Sequence, residues 1–259
     1  MQEIRRDKIK ELLRTSGFVN VQDLASRFQV SSETIRRDLE QLEKEGAVKR
    51  VHGGAMSTLR MVSETAFVLR QQSHTPEKRL IARAAAEMIA DGDTVILSPG
   101  TSTLQIAPFL APRKNLTVIT NGLPLAMQLA EYPEINVYFL GGHLRGEDLA
   151  TSGSLAFSNL ALFNPAKLIL GIGGITPENG LTDFRMEESA LLRAFIDKAA
   201  CTIAIGDHSK FGKVCAYSIC PAGRLDVLIT DSGTPAELCR AYQELGVSVR
   251  VVNVPADEN

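Results

Sequence analysis

Residues 30–46, VSSETIRRDLEQLEKEG, combine polar and basic side chains at a spacing that suits nucleic-acid binding. Ile35, Leu39 and Leu42 recur at intervals of four and three, so a helix here would carry them on one apolar stripe. The polar side of its N-terminal half would then present Ser32, Glu33, Thr34, Arg36 and Arg37. Hydroxyl and guanidinium groups bond phosphate oxygens and base edges, and arginine can bind guanine through two parallel hydrogen bonds. The segment therefore has the chemistry of a DNA-contacting helix.

A charged helix face is more often solvated than bound to a partner. The residues before this segment favour the DNA-contacting alternative. Residues 21–28, VQDLASRF, predict a short helix, and Gln29 and Val30 form a tight connection to the basic helix. An earlier helix, from about Gln2 to Thr15, would supply the third wall of a small core. A short helix, a tight turn and a longer arginine-bearing helix are the helix-turn-helix pattern.

The segment AVKRVHGGA, which follows Gly46, alternates valine with basic residues and ends in a double glycine. This pattern predicts a β-hairpin wing beside the basic helix. Its basic side chains are expected to contact DNA phosphates, whereas Thr34, Arg36 and Arg37 are expected to contact bases or lie close to them. The predicted DNA-binding residues are Ser32, Thr34, Arg36, Arg37, Lys49, Arg50 and His52.

The run from Arg5 to Ala55 resembles the DNA-binding domain of the DeoR family of bacterial transcriptional regulators. The matching pieces are the arginine-rich first helix, SGFVNVQDLASRF, VSSETIRRDLEQLEKEG and RVHGGA. The resemblance implies a winged helix-turn-helix domain that binds double-stranded operator DNA. Each copy would read one half of a near-palindromic site, with the half-sites about one helical turn or a multiple of it apart.

Composition is that of an ordinary globular chain, with 259 residues of which 44% are hydrophobic and 22% are charged. The net charge is −2, but residues 1–55 hold eleven Lys and Arg against nine Asp and Glu, so the small basic excess belongs to the N-terminal part. DNA affinity must then come from the placement of charges and from two copies per site. The sequence predicts no membrane-spanning run and no signal peptide, so a cytoplasmic protein is expected.

The four cysteines, Cys201, Cys215, Cys220 and Cys239, form no C-x-x-C motif, and no histidine cluster completes a zinc set in the sequence. Reduced thiols in a cytosolic core are the expected interpretation, with a redox sensor as the alternative. The sequence therefore predicts neither a metal site nor a cofactor.

From Pro76 onwards, apolar strand-like runs alternate with amphipathic helical runs. This alternation predicts an α/β domain whose mainly parallel sheet is covered on both faces, with ligands bound in loops at the carboxyl ends of the strands. The predicted organisation is a DNA-binding domain over residues 1–57, a linker over 58–75 and a sensor and oligomerisation domain over 76–254. The linker is expected to pack partly on the second domain through Phe67 and Leu69.

The loop SPGTST follows a predicted strand and offers a place for an anion. Gly100 lets the backbone approach a ligand closely, the three residues after it carry hydroxyls, and free N–H groups of the following helix favour negative charge. The G-K-[ST] ending of a P-loop is missing, and an ordinary capped helix start is the alternative interpretation. The next loop, TNGLPLA, adds Thr120 and Asn121 at the end of a strand.

Two later loops carry charged groups that suit a phosphorylated ligand. In FLGGHLRGED, Arg145 could reach an anion, although a solvated arginine is the commoner outcome. In GDHSKFG, Asp207, Ser209 and Lys210 fall in one short turn, where lysine suits phosphate and aspartate suits sugar hydroxyls or the orientation of the lysine. A surface turn with a local ion pair is the alternative, and His208 is expected to be exposed and neutral.

The run from about Glu64 to Asp231 resembles the C-terminal sensor domain of the same family, in EKRLIARAA, GTST, TNGLPLA, LGG, ENGLT, MEESALLR and DHSKFG. The resemblance implies a fold similar to ribose-5-phosphate isomerase and the CoA-transferases, with a phosphorylated sugar or related anionic metabolite as effector. The expected effector-binding residues are Gly100, Thr101, Ser102, Thr103, Thr120, Asn121, Gly142, Arg145, Glu187, Asp207, Ser209 and Lys210. The family often has acidic residues where this chain has Ser98 and Gly173, and the serine favours an effector with an extra negative group.

The combined interpretation is a transcriptional regulator, expected to be a repressor of a carbohydrate-catabolic operon that its effector releases from the operator. It is expected to act as a dimer or tetramer. The alternatives are an isomerase-like enzyme for sugar phosphates and a constitutive DNA-binding protein whose large domain only oligomerises. The sequence shows no activated nucleophile and no paired acid and base at a suitable spacing, and fold resemblance alone does not imply activity, so no enzyme is predicted.

Overall fold

The computed structural model describes residues 2–16, 18–45, 48–51, 53–57 and 67–254. The chain divides into two compact units, residues 1–66 and 67–259. A small unit thus precedes a large one, and the large unit begins at Phe67 rather than at residue 76. Residues 58–66 of the predicted linker lie outside the described part of the chain.

The first unit has the predicted winged helix-turn-helix architecture. Its described helices are α1 (Gln2–Ser16), α2 (Val21–Phe28) and α3 (Ser32–Lys44), and its described strands are β1 (Phe18–Asn20), β2 (Val48–Val51) and β3 (Gly54–Ser57). The strands form an antiparallel sheet in the order β1-β3-β2, in which β2 and β3 are the predicted wing. Strand β1, which joins the wing to the helices, was not predicted.

Local chemistry fixes the turn between α2 and α3. The side chain of Asn20 caps α2 by accepting a hydrogen bond from the N–H of Gln22 at 2.7 Å. Gln29 ends that helix in the left-handed region, with φ of 53°. Ser31 then caps α3, since its hydroxyl accepts from the N–H of Thr34 at 3.2 Å. The apolar stripe predicted for α3 is buried in one core with Ile9, Leu13, Val19, Val21, Leu24, Val48 and Ala55.

The second unit is an α/β domain, as predicted. Its described helices are α4 (Phe67–Gln72), α5 (Thr75–Ala86), α6 (Thr101–Leu104), α7 (Ala107–Leu110), α8 (Leu123–Leu129), α9 (Ser154–Leu160), α10 (Met186–Lys198) and α11 (Ala236–Glu244). Its described strands are β4 (Thr94–Leu97), β5 (Leu116–Thr120), β6 (Ile135–Phe139), β7 (His143–Arg145), β8 (Ala150–Ser152), β9 (Lys167–Gly171), β10 (Gly174–Thr176), β11 (Gly180–Asp183), β12 (Cys201–Ile205), β13 (Tyr217–Cys220), β14 (Val227–Asp231) and β15 (Ser248–Val252).

Seven of these strands form one parallel sheet in the order β15-β14-β12-β9-β4-β5-β6. The side chains of Ile96 and Leu168 belong to a core on one face, and those of Val95 and Ile169 belong to a core on the other. The sheet is therefore covered on both faces, which explains why its strands are continuous apolar runs. The carboxyl ends of β12, β9, β4 and β5 lie side by side and place their loops along one edge.

Three features differ from the sequence interpretation. The sequence pattern predicts one helix over about residues 102–110, but the structure has the two short helices α6 and α7 there, since Pro108 lies in the first turn of α7 and cannot continue the preceding helix. The predicted linker contains helix α4, whose Phe67 packs on the core of the second unit as expected. A small antiparallel sheet in the order β10-β11-β13 and a hairpin of β7 and β8 were not predicted.

Among the described helices, the longest apolar stretches are too short to cross a membrane.

Candidate functional site

Helix α3 presents its basic residues to solvent. The side chains of Arg36 and Arg37 are 58% and 76% exposed, and each lies within 4 Å of a carboxylate oxygen of Glu33. Exposed pairs of this kind contribute little to stability, so the two guanidinium groups can exchange Glu33 for a phosphate or a base at small cost. Thr34 is held at the start of the helix, where its hydroxyl lies 2.9 Å from that of Ser31.

A concave surface joins the start of α3 to the wing. Ser32, Arg36 and Arg50 line it, together with Asn20 and the backbone of the Gly53–Gly54 turn. In strand β2, the backbone N–H of Arg50 donates a hydrogen bond of 2.8 Å to a carboxylate oxygen of Glu43. The structure thus brings predicted helix contacts and a predicted wing contact to one surface. Lys49 lies in the same strand, and His52 lies outside the described residues.

Asp38 is a structural anchor of the DNA-binding unit that the sequence interpretation missed. It lies on α3 with no exposed surface, and its two carboxylate oxygens accept from Arg5 at 2.5 Å and Arg6 at 3.1 Å. These bonds tie the first helix to the arginine-bearing helix. The only sequence signal was the basic pair in α1, which the pattern alone would place on a solvated surface.

In the second unit, the loop after β4 is tightly packed. Thr101, Ser102 and Thr103 are buried, and the hydroxyl of Thr103 donates to the carbonyl of Gly100 at 3.0 Å. Ser98 is also buried, and its hydroxyl accepts from the N–H of Gly171 at 3.1 Å, so it fastens β4 to the end of β9. Helix α6 has a single turn, so the free N–H groups expected to favour an anion are limited to that turn.

Arg145 is buried in a charged network, so the alternative of a solvated turn residue is wrong. It lies at the end of β7, is 9% exposed, and donates to both carboxylate oxygens of Asp148 and to Glu188 at 2.6 Å. The side-chain amide of Asn121 donates to the carbonyl of Thr151 at 2.8 Å and lies 3.5 Å from Glu188. Four polar side chains therefore meet beyond the ends of β5 and β7, namely those of Asn121, Arg145, Asp148 and Glu188.

Two atoms of this network are buried without a hydrogen-bond partner among the described residues. Within the described part of the chain, no group bonds Nη1 of Arg145 or Oδ1 of Asn121, although both atoms are buried. A buried donor and a buried acceptor without partners each cost free energy that a bound hydroxyl or phosphate group would recover. Burial raises the pKa of Glu188 to about 7, against the lowering effect of the Arg145 charge.

Pro99, Gly100, Gly122 and Asp148 line a narrow cleft between the loops after β4 and β5. Asp148 lines this cleft and also bonds Arg145, so the cleft adjoins the Arg145 network. Gly122 eases the close approach, because a Cβ there would make a tight contact of 3.2 Å with the backbone of Pro99.

Gly142 and Glu187, two of the predicted effector residues, both make contacts with Ser152 or close to it. Gly142 has φ of +109°, and a Cβ there would lie 2.4 Å from the carbonyl oxygen of Ser152, so the absence of a side chain lets β7 and β8 pack closely. Glu187 is exposed and accepts a hydrogen bond from the hydroxyl of Ser152 at 3.0 Å. The buried glutamate of the pair, Glu188, was not among the predicted effector residues.

The turn after β12 holds Asp207, Ser209 and Lys210 as predicted. Asp207 has no exposed surface and accepts from the N–H of Ser209 at 3.1 Å. Burial raises the pKa of Asp207, but the Ser209 bond and the nearby charges of Lys210 and Lys78 outweigh it, so the pKa lies below its usual value. Oδ2 of Asp207 is buried with no hydrogen-bond donor among the described residues.

Lys78 is a second lysine beside this turn, which the sequence interpretation missed. It is 2% exposed, and its ammonium donates to the carbonyls of Ser73 at 2.5 Å and of Arg70. Burial lowers the pKa of Lys78 to about 8, and it also lowers the pKa of Lys210. The helical pattern of α5 gave no reason to bury a lysine, so no signal in the sequence pointed to it.

His208 was expected to be exposed, but it is only partly exposed and has two ring contacts. Its Nδ1 lies 2.9 Å from a carboxylate oxygen of Asp231, and its ring packs edge-on against that of His74 with centroids 4.8 Å apart. The side chain is about one-third exposed. The expectation failed because Asp231 and His74 are distant in sequence.

The two units match two family descriptions in the same order. Residues 5–60 match the DeoR-like helix-turn-helix domain, and residues 73–232 match the DeoR C terminal sensor domain. The chain belongs to the DeoR family. The resemblance drawn from its motifs is therefore confirmed.

Relatives of known name are similar over most of the chain. The transcriptional repressor AccR of Agrobacterium fabrum is 37% identical over 89% of this chain and 90% of its own length. A putative aga operon transcriptional repressor of Escherichia coli O157:H7 is 35% identical over 96% and 93%. The glycerol-3-phosphate regulon repressor of Escherichia coli K12 is 32% identical over 94% and 96%.

Solved structures similar to part of the chain include ribose 5-phosphate isomerase from Plasmodium falciparum. It is 16% identical, with a TM-score of 0.39 over 52% of each chain. The β subunit of eIF2B from Chaetomium thermophilum is 16% identical, with a TM-score of 0.42 over 66% of this chain and 53% of that one. Nothing about activity follows from similarities of this size.

Proposed function

We propose that this DeoR-family chain is a transcriptional repressor of a carbohydrate-related operon and that a phosphorylated sugar or related anionic metabolite releases it from DNA. The observation that carries the DNA-binding part is the exposed pair Arg36 and Arg37 on a capped helix beside a wing. The names of the relatives support the repressor assignment, because AccR and the regulators of aga and glycerol-3-phosphate genes are all described as repressors. Such a protein acts in the bacterial cytoplasm, where its DNA is.

The effector is proposed to bind along the edge where the loops after β4, β5 and β12 meet. Asn121 would bond it through Oδ1 and Arg145 through Nη1, the two buried atoms without a partner, and Lys210 would supply charge for a phosphate. The effector can release DNA only by binding one arrangement of the protein more tightly than the other. Thr101 and Ser102 lie on the same loop as Gly100 and would contact the effector through hydroxyl or backbone groups.

A second copy of the chain is proposed to pair along strand β6, which is an edge of the seven-stranded sheet. Tyr138 and Phe139 are exposed on this strand, and Tyr138 packs edge-on against Phe163 with centroids 5.0 Å apart. Leu162, beside Phe163, is 77% exposed. An aromatic edge strand is the kind of surface that proteins cover by pairing. Tyr138→Glu is expected to yield single chains in light scattering, whereas Tyr217→Glu, also at an exposed tyrosine, is not.

The proposal is tested by selecting binding sites for the full chain from random duplex DNA. A near-palindromic consensus is expected, and a phosphorylated sugar is expected to weaken binding to it. Recovery of no consensus would overturn the repressor assignment. Binding that no sugar phosphate weakens would favour the constitutive DNA-binding protein, and turnover of a sugar phosphate would favour the isomerase-like enzyme.

A further inference from the structure

Three side chains with metal-binding atoms meet in the second unit, outside the groups used above. His74 and Glu77 lie at the start of helix α5, and His208 lies in the turn after β12. One ligand atom from each lies within 4.8 Å of the others. Nδ1 of His74 is 3.7 Å from a carboxylate oxygen of Glu77. The two segments are far apart in sequence, so the cluster is formed by the fold.

His208 is oriented as metal-binding histidines are. Asp231 is buried and fixed in place, since its carboxylate accepts from the N–H groups of His208 at 2.7 Å and Gly233 at 2.8 Å. A carboxylate only accepts hydrogen bonds, so the 2.9 Å contact to Nδ1 of His208 places the ring proton there. Nε2 is then the nitrogen with a free lone pair. A carboxylate behind a histidine in this way fixes the ring and strengthens it as a metal ligand.

Gly233 provides the space for this ring. A Cβ at Gly233 would lie 2.7 Å from Cγ and Nδ1 of His208. The backbone beside Asp231 is therefore shaped around the imidazole of His208.

Glu77 and His74 each carry a cost that a bound cation would offset. Oε2 of Glu77 is buried, and no donor among the described residues bonds it. A buried carboxylate oxygen without a donor or a cation is unfavourable. His74 adopts φ of 50°, in the left-handed region, where residues other than glycine are strained.

We propose that His74, Glu77 and His208 bind a divalent transition-metal ion of the zinc type. Two imidazoles and a carboxylate form a mixed nitrogen and oxygen set that suits Zn²⁺, whereas Mg²⁺ and Ca²⁺ prefer oxygen ligands alone. Zinc-to-nitrogen bonds of about 2.0–2.1 Å require ligand atoms roughly 3.3 Å apart in a tetrahedron. Side-chain movements that shorten the longest separation by about 1.5 Å therefore close the present cluster on an ion and leave a fourth position for water or another ligand.

The position of the cluster gives the ion a structural consequence. His208 lies between Asp207 and Ser209 in the turn after β12, and His74 lies between helices α4 and α5. A bound ion would cross-link that turn to the first two helices of the second unit. The metal site itself does not depend on the identity of the effector.

The test uses the full chain, freed of metal by a chelator and titrated calorimetrically with Zn²⁺ alone. One ion per chain is expected, with at least tenfold weaker binding in His74→Ala, His208→Ala and Glu77→Gln. His143→Ala is the matched control, because His143 is exposed on strand β7, away from the cluster by sequence and element, and should bind as the unaltered chain does. No binding by the unaltered chain, or equal binding by all the variants, would overturn the site.

Cobalt substitution keeps the proposal testable if a variant does not fold. Co²⁺ bound by two histidines and a carboxylate is expected to give visible absorption bands without a thiolate-to-metal charge-transfer band. A charge-transfer band would assign the ion to one of the four free cysteines instead. Asp231→Asn changes no ligand, and it is expected to weaken Zn²⁺ binding about tenfold to a hundredfold, as for other residues that orient a metal-binding histidine. Unchanged affinity in Asp231→Asn would contradict the orienting role.

Discussion

Arg145 donates a hydrogen bond of 2.6 Å to Glu188, and both side chains are buried. The arginine comes from a hairpin strand and the glutamate from the first turn of helix α10, so the contact joins two elements at the candidate effector site. Asp148 holds the other side of the guanidinium, which leaves Nη1 as its open donor. The pair therefore determines both the direction of Arg145 and the charge that an effector meets.

Stability of the second unit is expected to fall as pH rises toward 7. Burial raises the pKa of Glu188 from 4.5 to about 7, so the folded chain binds a proton here that the unfolded chain has released. The folded state is thus favoured at low pH, and the loss between about pH 4.5 and 7 is on the order of 3 kcal/mol. Scanning calorimetry from pH 5.5 to 8 should show this decline, reduced in Glu188→Gln.

Glu187→Gln is the control for that measurement, because Glu187 is the exposed neighbour on the same helical turn. It should keep the decline seen in the unaltered chain. A decline of equal size in Glu188→Gln would mean that another group causes it.

Arg36→Ala with Arg37→Ala is expected to abolish specific operator binding and to leave effector binding intact. Both guanidinium groups are exposed, and among the described residues their ion pairs are with Glu33 alone, so their removal should not unfold the domain. Residual binding should depend less steeply on salt. The slope of log affinity against log salt concentration should shrink by about one unit for each phosphate that the variant no longer neutralises. Fluorescence anisotropy over a salt series measures both effects.

Lys44→Ala is the matched control, since Lys44 is a basic residue near the C-terminal end of the same helix and is 68% exposed. Its operator affinity should change much less. Loss of effector binding in the double arginine variant would contradict the division of function between the two units.

The helix-turn-helix could be predicted because its information is local. The stripe of Ile35, Leu39 and Leu42, the Ser31 cap and the glycine turn all lie within a short stretch of chain. The parallel sheet could also be predicted, since strands covered on both faces are apolar throughout. The hairpin of β7 and β8 could not be predicted, because strands of three residues each are too short to show an alternation of apolar and polar side chains.

The site was harder to predict because its partners are distant in sequence. A pattern of residues around Arg145 predicts a solvated turn, and only the fold brings Glu188 to it. The same holds for His74 and His208, which sequence spacing could not join into a metal set. The burial of Lys78 has no local signal at all, since lysine in an amphipathic helix is normally solvated.

Asp38→Asn is expected to destabilise the DNA-binding unit by about 2 kcal/mol. Removing one partner of a buried ion pair leaves the other uncompensated, although Arg5 and Arg6 keep some access to solvent, which lowers the cost. Hydrogen exchange in α1 and α3 reports this unit separately from the second. Asp7→Asn, at an aspartate of α1 that is 72% exposed, should leave exchange unchanged. Equal protection in both variants would contradict the anchoring role of Asp38.

Ser98→Asp is expected to weaken effector binding, as the hypothesis of an effector with an extra negative group requires. The hydroxyl of Ser98 accepts from the N–H of Gly171, and an aspartate oxygen can also accept there while adding a charge. Ser98→Ala removes the acceptor without adding charge, so it separates the two effects. Calorimetric titration with the same sugar phosphate should rank Ser98→Ala above Ser98→Asp in affinity. The reverse order would contradict the hypothesis.

Lys210→Gln is expected to erase the thermal stabilisation that a sugar-phosphate effector gives. A ligand that binds only the folded chain stabilises it by about 2.7 kcal/mol at a hundredfold excess over its dissociation constant. Lys210 supplies a positive charge beside the buried Asp207, and burial lowers the lysine pKa, so a phosphate there would gain a poorly solvated partner. A thermal-shift screen of the full chain against sugar phosphates measures this, with Lys213→Gln as control because Lys213 is exposed on the same loop. A selective shift that persists in Lys210→Gln would place the effector elsewhere on the second unit, whereas a shift that disappears equally in Lys213→Gln would reduce the effect to general charge.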